Sequence, residues 1–220
     1  MKRLSTFLAL GCIIAMSLTS CLKDDDDNKT QGLTKAQISQ CYNAIVGSYT
    51  GKMIYPSYDS GKQVYVADTI DISWRVGTDT ILTVNSVPAA AIAGTITDND
   101  LRKALEEQNP AADVKCYIGF SNLDSYVRFY LAPQKVEFPV YYQEKTHSVT
   151  ALFWYNPYYT DTQSLGYKDL TNDLLACQLL LGAVYLDGNE TRNFIGSGSA
   201  TRVPLIFATD IKKATTQQTN

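Results

Sequence analysis

The chain has 220 residues, with 19 Lys+Arg against 22 Asp+Glu, a single histidine and a net charge of −3. That length can build one sizeable core, and the slightly acidic balance leaves no footprint for nucleic acid or an anionic membrane. Fifteen tyrosines point to β structure, because aromatic rings suit a pleated, half-buried surface.

Lys2 and Arg3 open the chain, and residues 7–18 are almost wholly apolar. A stretch of about a dozen residues is too short for a bilayer, which needs about 20, but it suits a signal peptide over residues 1–20. Small residues, Thr19 and Ser20, precede Cys21. Leu18-Thr19-Ser20-Cys21 resembles the lipobox of bacterial lipoproteins. The resemblance implies that the Cys21 thiol carries diacylglycerol and that its freed amine is acylated, because stable anchoring takes more than one chain. Lys23 followed by Asp24, Asp25, Asp26 and Asp27 resembles the surface-export signal of lipoproteins from the Bacteroidota. It implies an outer-membrane protein facing the cell exterior. A run of like charges also makes a solvated linker by itself. The expected organisation is an acidic disordered tether over 21–32, a single β-rich domain over 33–211 and a polar tail over 212–220.

The domain opens with a helix. Thr34 and Gln37 form a capping box, and Leu33 can staple onto Ile38. Ile38, Cys41, Tyr42 and Ile45 repeat on one helical face, which Gly47 ends. A strand follows with Tyr49, Gly51, Met53 and Tyr55 on one face, then a hairpin turn over 58–62. Ile70, Ile72, Trp74 and Val76 alternate as a second strand. After Gly77-Thr78-Asp79 a third holds Ile81, Leu82 and Val84. Residues 87–96 read as irregular. Thr97 with Asp100 caps an inserted helix carrying Leu101, Ala104 and Leu105, closed by Pro110.

Val114, Cys116, Ile118 and Phe120 alternate, as do Val127, Phe129 and Leu131. Residues 135–142 and 148–155 read as a hairpin around Glu144-Lys145-Thr146, and 156–173 as a long polar loop. Residues 174–186 are nearly all apolar. A buried helix fits them, but Gly182, Val184, Tyr185 and the Asp187-Gly188 turn favour a long buried strand with a bulge. A last strand over about 200–208 contains Pro204, which suggests an edge. The fold class is mainly β: an antiparallel β-barrel or β-sandwich with an N-terminal helix and one inserted helix.

Three cysteines remain beyond Cys12 and Cys21, namely Cys41, Cys116 and Cys177. They form no CxxC, so one disulfide at most fits, and buried thiols fit better. Zinc sites want several His or Cys ligands, and the chain cannot supply a usual set. A Ser/His/Asp device would have to use His147, beside a predicted turn, where an exposed histidine is the plain alternative. Asp98-Asn99-Asp100 begins like a calcium loop but lacks the glycine at position six, where Lys103 stands. No metal, no cofactor and no catalytic residue is expected. A paired-carboxylate glycosidase stays open, since spacing in space is unreadable from a chain.

The densest aromatic stretch is 153–159. Phe153 and Tyr155 share one face of a strand and Trp154 takes the other, so one set faces outward or into a cavity. Pro157 breaks the strand and places Tyr158 and Tyr159 at a loop mouth. Trp154, Tyr158 and Tyr159 are therefore the candidate binding residues, because rigid rings with a polar tip stack on sugars and anchor protein partners alike. The alternative is that they cover the end of the core. Asp68-Thr69-Ile70 and Asp79-Thr80-Ile81 resemble the Asp-Ser/Thr-aliphatic sequon for O-glycosylation in Bacteroidota, which makes Thr69 and Thr80 candidate acceptors.

The capped helix followed by Gly47-Ser48-Tyr49 is similar to the opening of lipocalin-like barrels, with Tyr49 where that motif has Trp. The whole layout resembles a family of Bacteroidales lipoproteins known only as a domain of unknown function, and it imports no site residues. The expected function is a surface-anchored, non-enzymatic binding module for a glycan, small ligand or protein, with the membrane as partner through Cys21. An accessory subunit of an outer-membrane complex and a glycoside hydrolase are the alternatives.

Overall fold

The structure, a computed structural model, describes residues 32–59, 61–62, 64–155, 163–195 and 203–209. Helix α1 (Lys35–Ile45) leads into β1 (Gly47–Asp59), β2 (Val64–Val76) and β3 (Ile81–Pro88). Helices α2 (Ala90–Ala93) and α3 (Asn99–Gln108) precede β4 (Ala111–Leu123), β5 (Tyr126–Pro133), β6 (Val136–Tyr142) and β7 (Lys145–Phe153). Strands β8 (Leu165–Asp169), β9 (Leu175–Leu186) and β10 (Val203–Thr209) complete the order. No described helix is long and apolar enough to cross a membrane.

Strands β1, β2, β3, β4, β5, β8, β9 and β10 pair in that order, and β10 returns to β1. The fold is therefore a closed eight-stranded antiparallel barrel rather than a sandwich, and closure removes free edges from the ring. Strands β6 and β7 stand outside it. β7 and β8 run the same way along β9, β7 against its far half and β8 against its near half. They are two halves of one strand path along β9. β5 and β6 oppose them as a second split path. One half of each path closes the barrel. The other half peels away with the end of β9 as a three-stranded flare.

The barrel interior is filled by side chains. Met53, Trp74, Leu82, Phe129, Leu131 and Phe207 have essentially no exposure. The lipocalin-like opening of the sequence thus leads into a packed core, not a ligand cavity. Gly166 shows how tightly it packs. The Phe129 ring lies where a side chain of Gly166 would be, one strand away across the β5–β8 ladder.

Both mouths are covered. At one end α1 buries Cys41 and Ile45, and the Tyr49 hydroxyl donates to the Ile45 carbonyl at 2.7 Å. Tyr49 stacks on Trp74 with ring centroids 5.8 Å apart, and burial first, then Asp173 and Cys177, push its phenol up to about 12. The capping box forms as expected, with Thr34 and Gln37 bonding each other's backbone N–H. Ile38, expected on the apolar face, is instead 43 % exposed. At the other end the buried turn of α2 packs against β1 through small residues: a side chain at Gly94 would strike the Pro56 carbonyl. Helix α3 lies over it, capped by Asp98, whose Oδ1 accepts from the Leu101 N–H at 3.1 Å. The cap is thus one residue after the expected Thr97. Segment 87–96, expected to be irregular, holds the end of β3 and all of α2.

Three further expectations change. The 156–173 loop contains β8, which was illegible because its inward positions are Gly166 and Lys168, and neither reads as core. Lys168 is only 5 % exposed, and its ammonium is held by the carboxylate and the carbonyl of Asp173. The 135–155 hairpin turns at Gln143-Glu144, both at positive φ, without an Asn-Gly signal. Strand β10 is no edge, being paired with β9 and β1. Pro204 sits beyond the β1 ladder, which begins at Ile206, so the strand has a free side only there. The strand at the end of the sheet order is β6. Pro139 interrupts its outer row of donors, and the Gln108 amide closes it further: Tyr141 N–H donates to Oε1 at 2.7 Å, and Nε2 donates to the Tyr141 carbonyl at 2.8 Å.

Candidate functional site

The long apolar segment forms β9, and its irregularity falls where expected. Leu152 faces Ala183 while Phe153 faces Leu181, leaving Gly182 as the extra residue. The bulge reverses the side-chain alternation and bends β9 into the flare. The flare's inner face, with Val140, His147, Val149 and Val184, packs toward α3. Its outer face is polar and concave.

That outer face carries a groove of about 360 Å³, within the size range of small-ligand sites. Glu137, Thr150 and Tyr185 form one row across β6, β7 and β9. Lys135 and Leu152 flank the row on one side, and Ser148, Asp187 and Glu190 on the other. Lys135 pairs with Glu137 at 2.8 Å, which raises the lysine pKa through that hydrogen bond and charge. Asp187 accepts from the Ser148 N–H at 3.0 Å and lies 2.7 Å from His147 Nδ1. The Ser148 N–H first, and His147 next, hold its carboxyl below the usual carboxylate range. Thr150 is 8 % exposed. The hydroxyls of Ser148, Thr150 and Tyr185 bond to no described residue, so their hydrogen-bonding capacity is turned to the groove.

His147 is not an exposed turn residue. It is buried, against Tyr142 and Asp187, and its Nε2 has no hydrogen-bond partner. A His–Asp pair thus exists, but among the described residues no nucleophile is hydrogen-bonded to His147 Nε2. Among the described residues no group of three or more His, Cys, Asp or Glu is arranged to hold a metal. Cys41, Cys116 and Cys177 are all free and buried, and burial raises each thiol pKa.

Phe153 packs on the core, so Trp154 takes the opposite, outer face, the one that carries Leu152 and Gly182. Its backbone N–H donates to the Leu180 carbonyl at 2.6 Å, and its backbone carbonyl accepts from the Ser164 N–H and hydroxyl. The chain therefore leaves the β7–β8 path at Trp154 and rejoins it at Ser164. Tyr155, past the end of β7, is exposed. Tyr158 and Tyr159 lie outside the described residues, as do Cys21, Lys23, Asp24, Asp25, Asp26 and Asp27. Thr69 and Thr80 are both exposed. Thr69 N–H bonds the Asp68 carboxylate at 2.7 Å, and the Thr80 hydroxyl donates to the Asp79 carbonyl at 2.6 Å. Sequence reasoning missed Glu137, Ser148, Thr150, Tyr185 and Asp187 as a group. Alternation placed Glu137 outward, but nothing local says that β9 lies beside β7.

No curated protein and no solved structure matches the chain. One family model matches residues 44–186, from the end of α1 through the whole flare to the end of β9. The chain belongs to the family described as a domain of unknown function, DUF4840.

Proposed function

We propose that the protein is a lipoprotein of an outer membrane, anchored through acyl chains on Cys21 and directed to the cell surface by Lys23 and Asp24 to Asp27. Its barrel serves as a non-enzymatic binding module that takes a ligand on the outside. The observation that supports this is the filled interior with both mouths covered, together with the outer face of the flare, which with its groove and Trp154 offers a concave surface for recognition. The accessory-subunit reading draws on the β1–β2 hairpin, where Val64 and Val66 are exposed on strand residues that β3 does not reach.

Cys21→Ala should shift the protein from membranes to the soluble fraction and end incorporation of labelled palmitate. Protease added to whole cells should degrade the wild type. Trp154→Ala, Tyr158→Ala and Tyr159→Ala should each keep the melting temperature and lower retention on purified envelope polysaccharide and protein of the host at least tenfold. Lowered melting temperatures with unaltered retention would place these rings in the core and end the binding assignment.

A further inference from the structure

We infer that the groove on the flare is a site for a neutral, hydroxyl-rich ligand, a carbohydrate, with Thr150 and Tyr185 as its central contacts. The inference rests on the binding-module reading and names the ligand class and the residues.

Thr150 carries the argument. It is a polar side chain with 8 % exposure, set in the floor of the groove, and its hydroxyl bonds to no described residue. Its oxygen is not shut off from solvent, so its donor and its acceptor are open to a partner from outside the chain. Ser148 is two residues along the same strand face, and Tyr185 is directly across the ladder. The backbone positions that carry the three hydroxyls are therefore about 4.8 Å apart across the ladder and about 6.8 Å apart along the strand. A polyol can satisfy them together, since each of its hydroxyls both donates and accepts.

The charges in the groove select against other ligands. Glu137 is already paired with Lys135, and Asp187 with the Ser148 N–H and His147. A cationic ligand would have to displace those partners or rely on Glu190 alone among the carboxylates of the groove. An anionic one would meet Glu137, Asp187 and Glu190. A neutral polyol disturbs neither pair and can donate to the remaining carboxylate lone pairs in charge-assisted hydrogen bonds. The Tyr185 ring and Leu152 add apolar surface against which the C–H face of a sugar ring can lie. A peptide in extended form is disfavoured. The floor strands spend their backbone groups on one another, and the outer edge of β6 is closed by Pro139 and the Gln108 amide.

The test is affinity electrophoresis of the full mature chain in native gels containing dextran, xylan, arabinogalactan or starch, with polygalacturonate and chitosan as the anionic and cationic arms. The expected result is retardation in at least one neutral gel. Thr150→Val and Tyr185→Phe keep the shape of each side chain and should each weaken that retardation about fivefold, the effect of one lost hydrogen bond. The double variant should lose it, with melting temperatures held. Retardation in no neutral gel, or only by polygalacturonate or chitosan, overturns the carbohydrate assignment. Neutral retardation that survives the double variant but disappears in Trp154→Ala overturns the groove and leaves the binding module standing. Retention on host envelope protein alone would do the same.

Discussion

Gly166→Ala is the sharpest test of the filled barrel, on which the placement of any ligand outside it depends. Gly166 faces Phe129 across the β5–β8 ladder, and a Cβ built there lies against three atoms of that ring, the farthest at 2.8 Å. Carbon atoms rest at about 3.5–4.0 Å, and Phe129 has 0 % exposure, so the ring has no space to retreat into. Overpacking of this kind costs about 1–3 kcal/mol. The loss of unfolded-chain freedom returns only about 0.4–1 kcal/mol. Contact with three ring atoms at once puts the cost at the upper end of that range, so the net destabilisation is about 2 kcal/mol, which in a domain of this size lowers the melting temperature by about 4–8 °C. Phe129→Leu removes the obstructing ring and should cost about 1–2 kcal/mol alone, less than the 3–5 of truncation to alanine. In the double variant the new methyl occupies part of the vacated space. Its cost should stay close to that of Phe129→Leu, giving a coupling of about 2 kcal/mol. Urea unfolding followed by the fluorescence of Trp74, itself buried in the barrel, reads all four proteins. Additivity within about 0.5 kcal/mol, or an unchanged midpoint for Gly166→Ala, would mean that the interior holds free space, and the reasoning that sends ligands to the outer face would fail.

Two further outcomes follow from single groups. The folded-state pKa of Asp187 is depressed, so its contribution to stability is complete above the unfolded value of about 3.9 and is lost as pH falls through the folded one. The gap in urea midpoint between wild type and Asp187→Asn should therefore be full near neutrality and close in acid. A gap that persists well below that range would mean the carboxylate is not stabilised by Ser148 and His147. Thr69 and Thr80 are exposed beside their aspartates, so the mature protein from its host should carry hexose increments that Thr69→Ala and Thr80→Ala remove. An intact mass without any increment would sink the glycosylation reading.

The sequence by itself determined the local structure. The capping box at Thr34 and Gln37 specifies its own helix start, because the two residues satisfy each other's backbone within one turn. The alternation from Tyr49 to Tyr55, from Ile70 to Val76 and from Val127 to Leu131 declares the buried face of each strand, since side chains on a strand point to opposite sides in turn. The bulge in the 174–186 strand was legible from Gly182 for the same reason. What the tertiary structure decided is everything that depends on which strand lies beside which. Lys168 reads as loop because a lysine is normally solvated, and only Asp173 and the Tyr49 end of the barrel make its burial tolerable. Gly166 reads as loop because the atom filling its place, the Phe129 ring, comes from a strand far earlier in the chain. Barrel and sandwich share the same alternation, and only the β10–β1 and β10–β9 ladders close the ring. The groove is the clearest case. Glu137, Thr150 and Tyr185 are unremarkable outward residues of three separate strands, and they become one row of a groove only because β9 reaches past the barrel to pair with β7. Side-chain periodicity is a property of each strand alone, whereas strand order is set by the burial of all of them together.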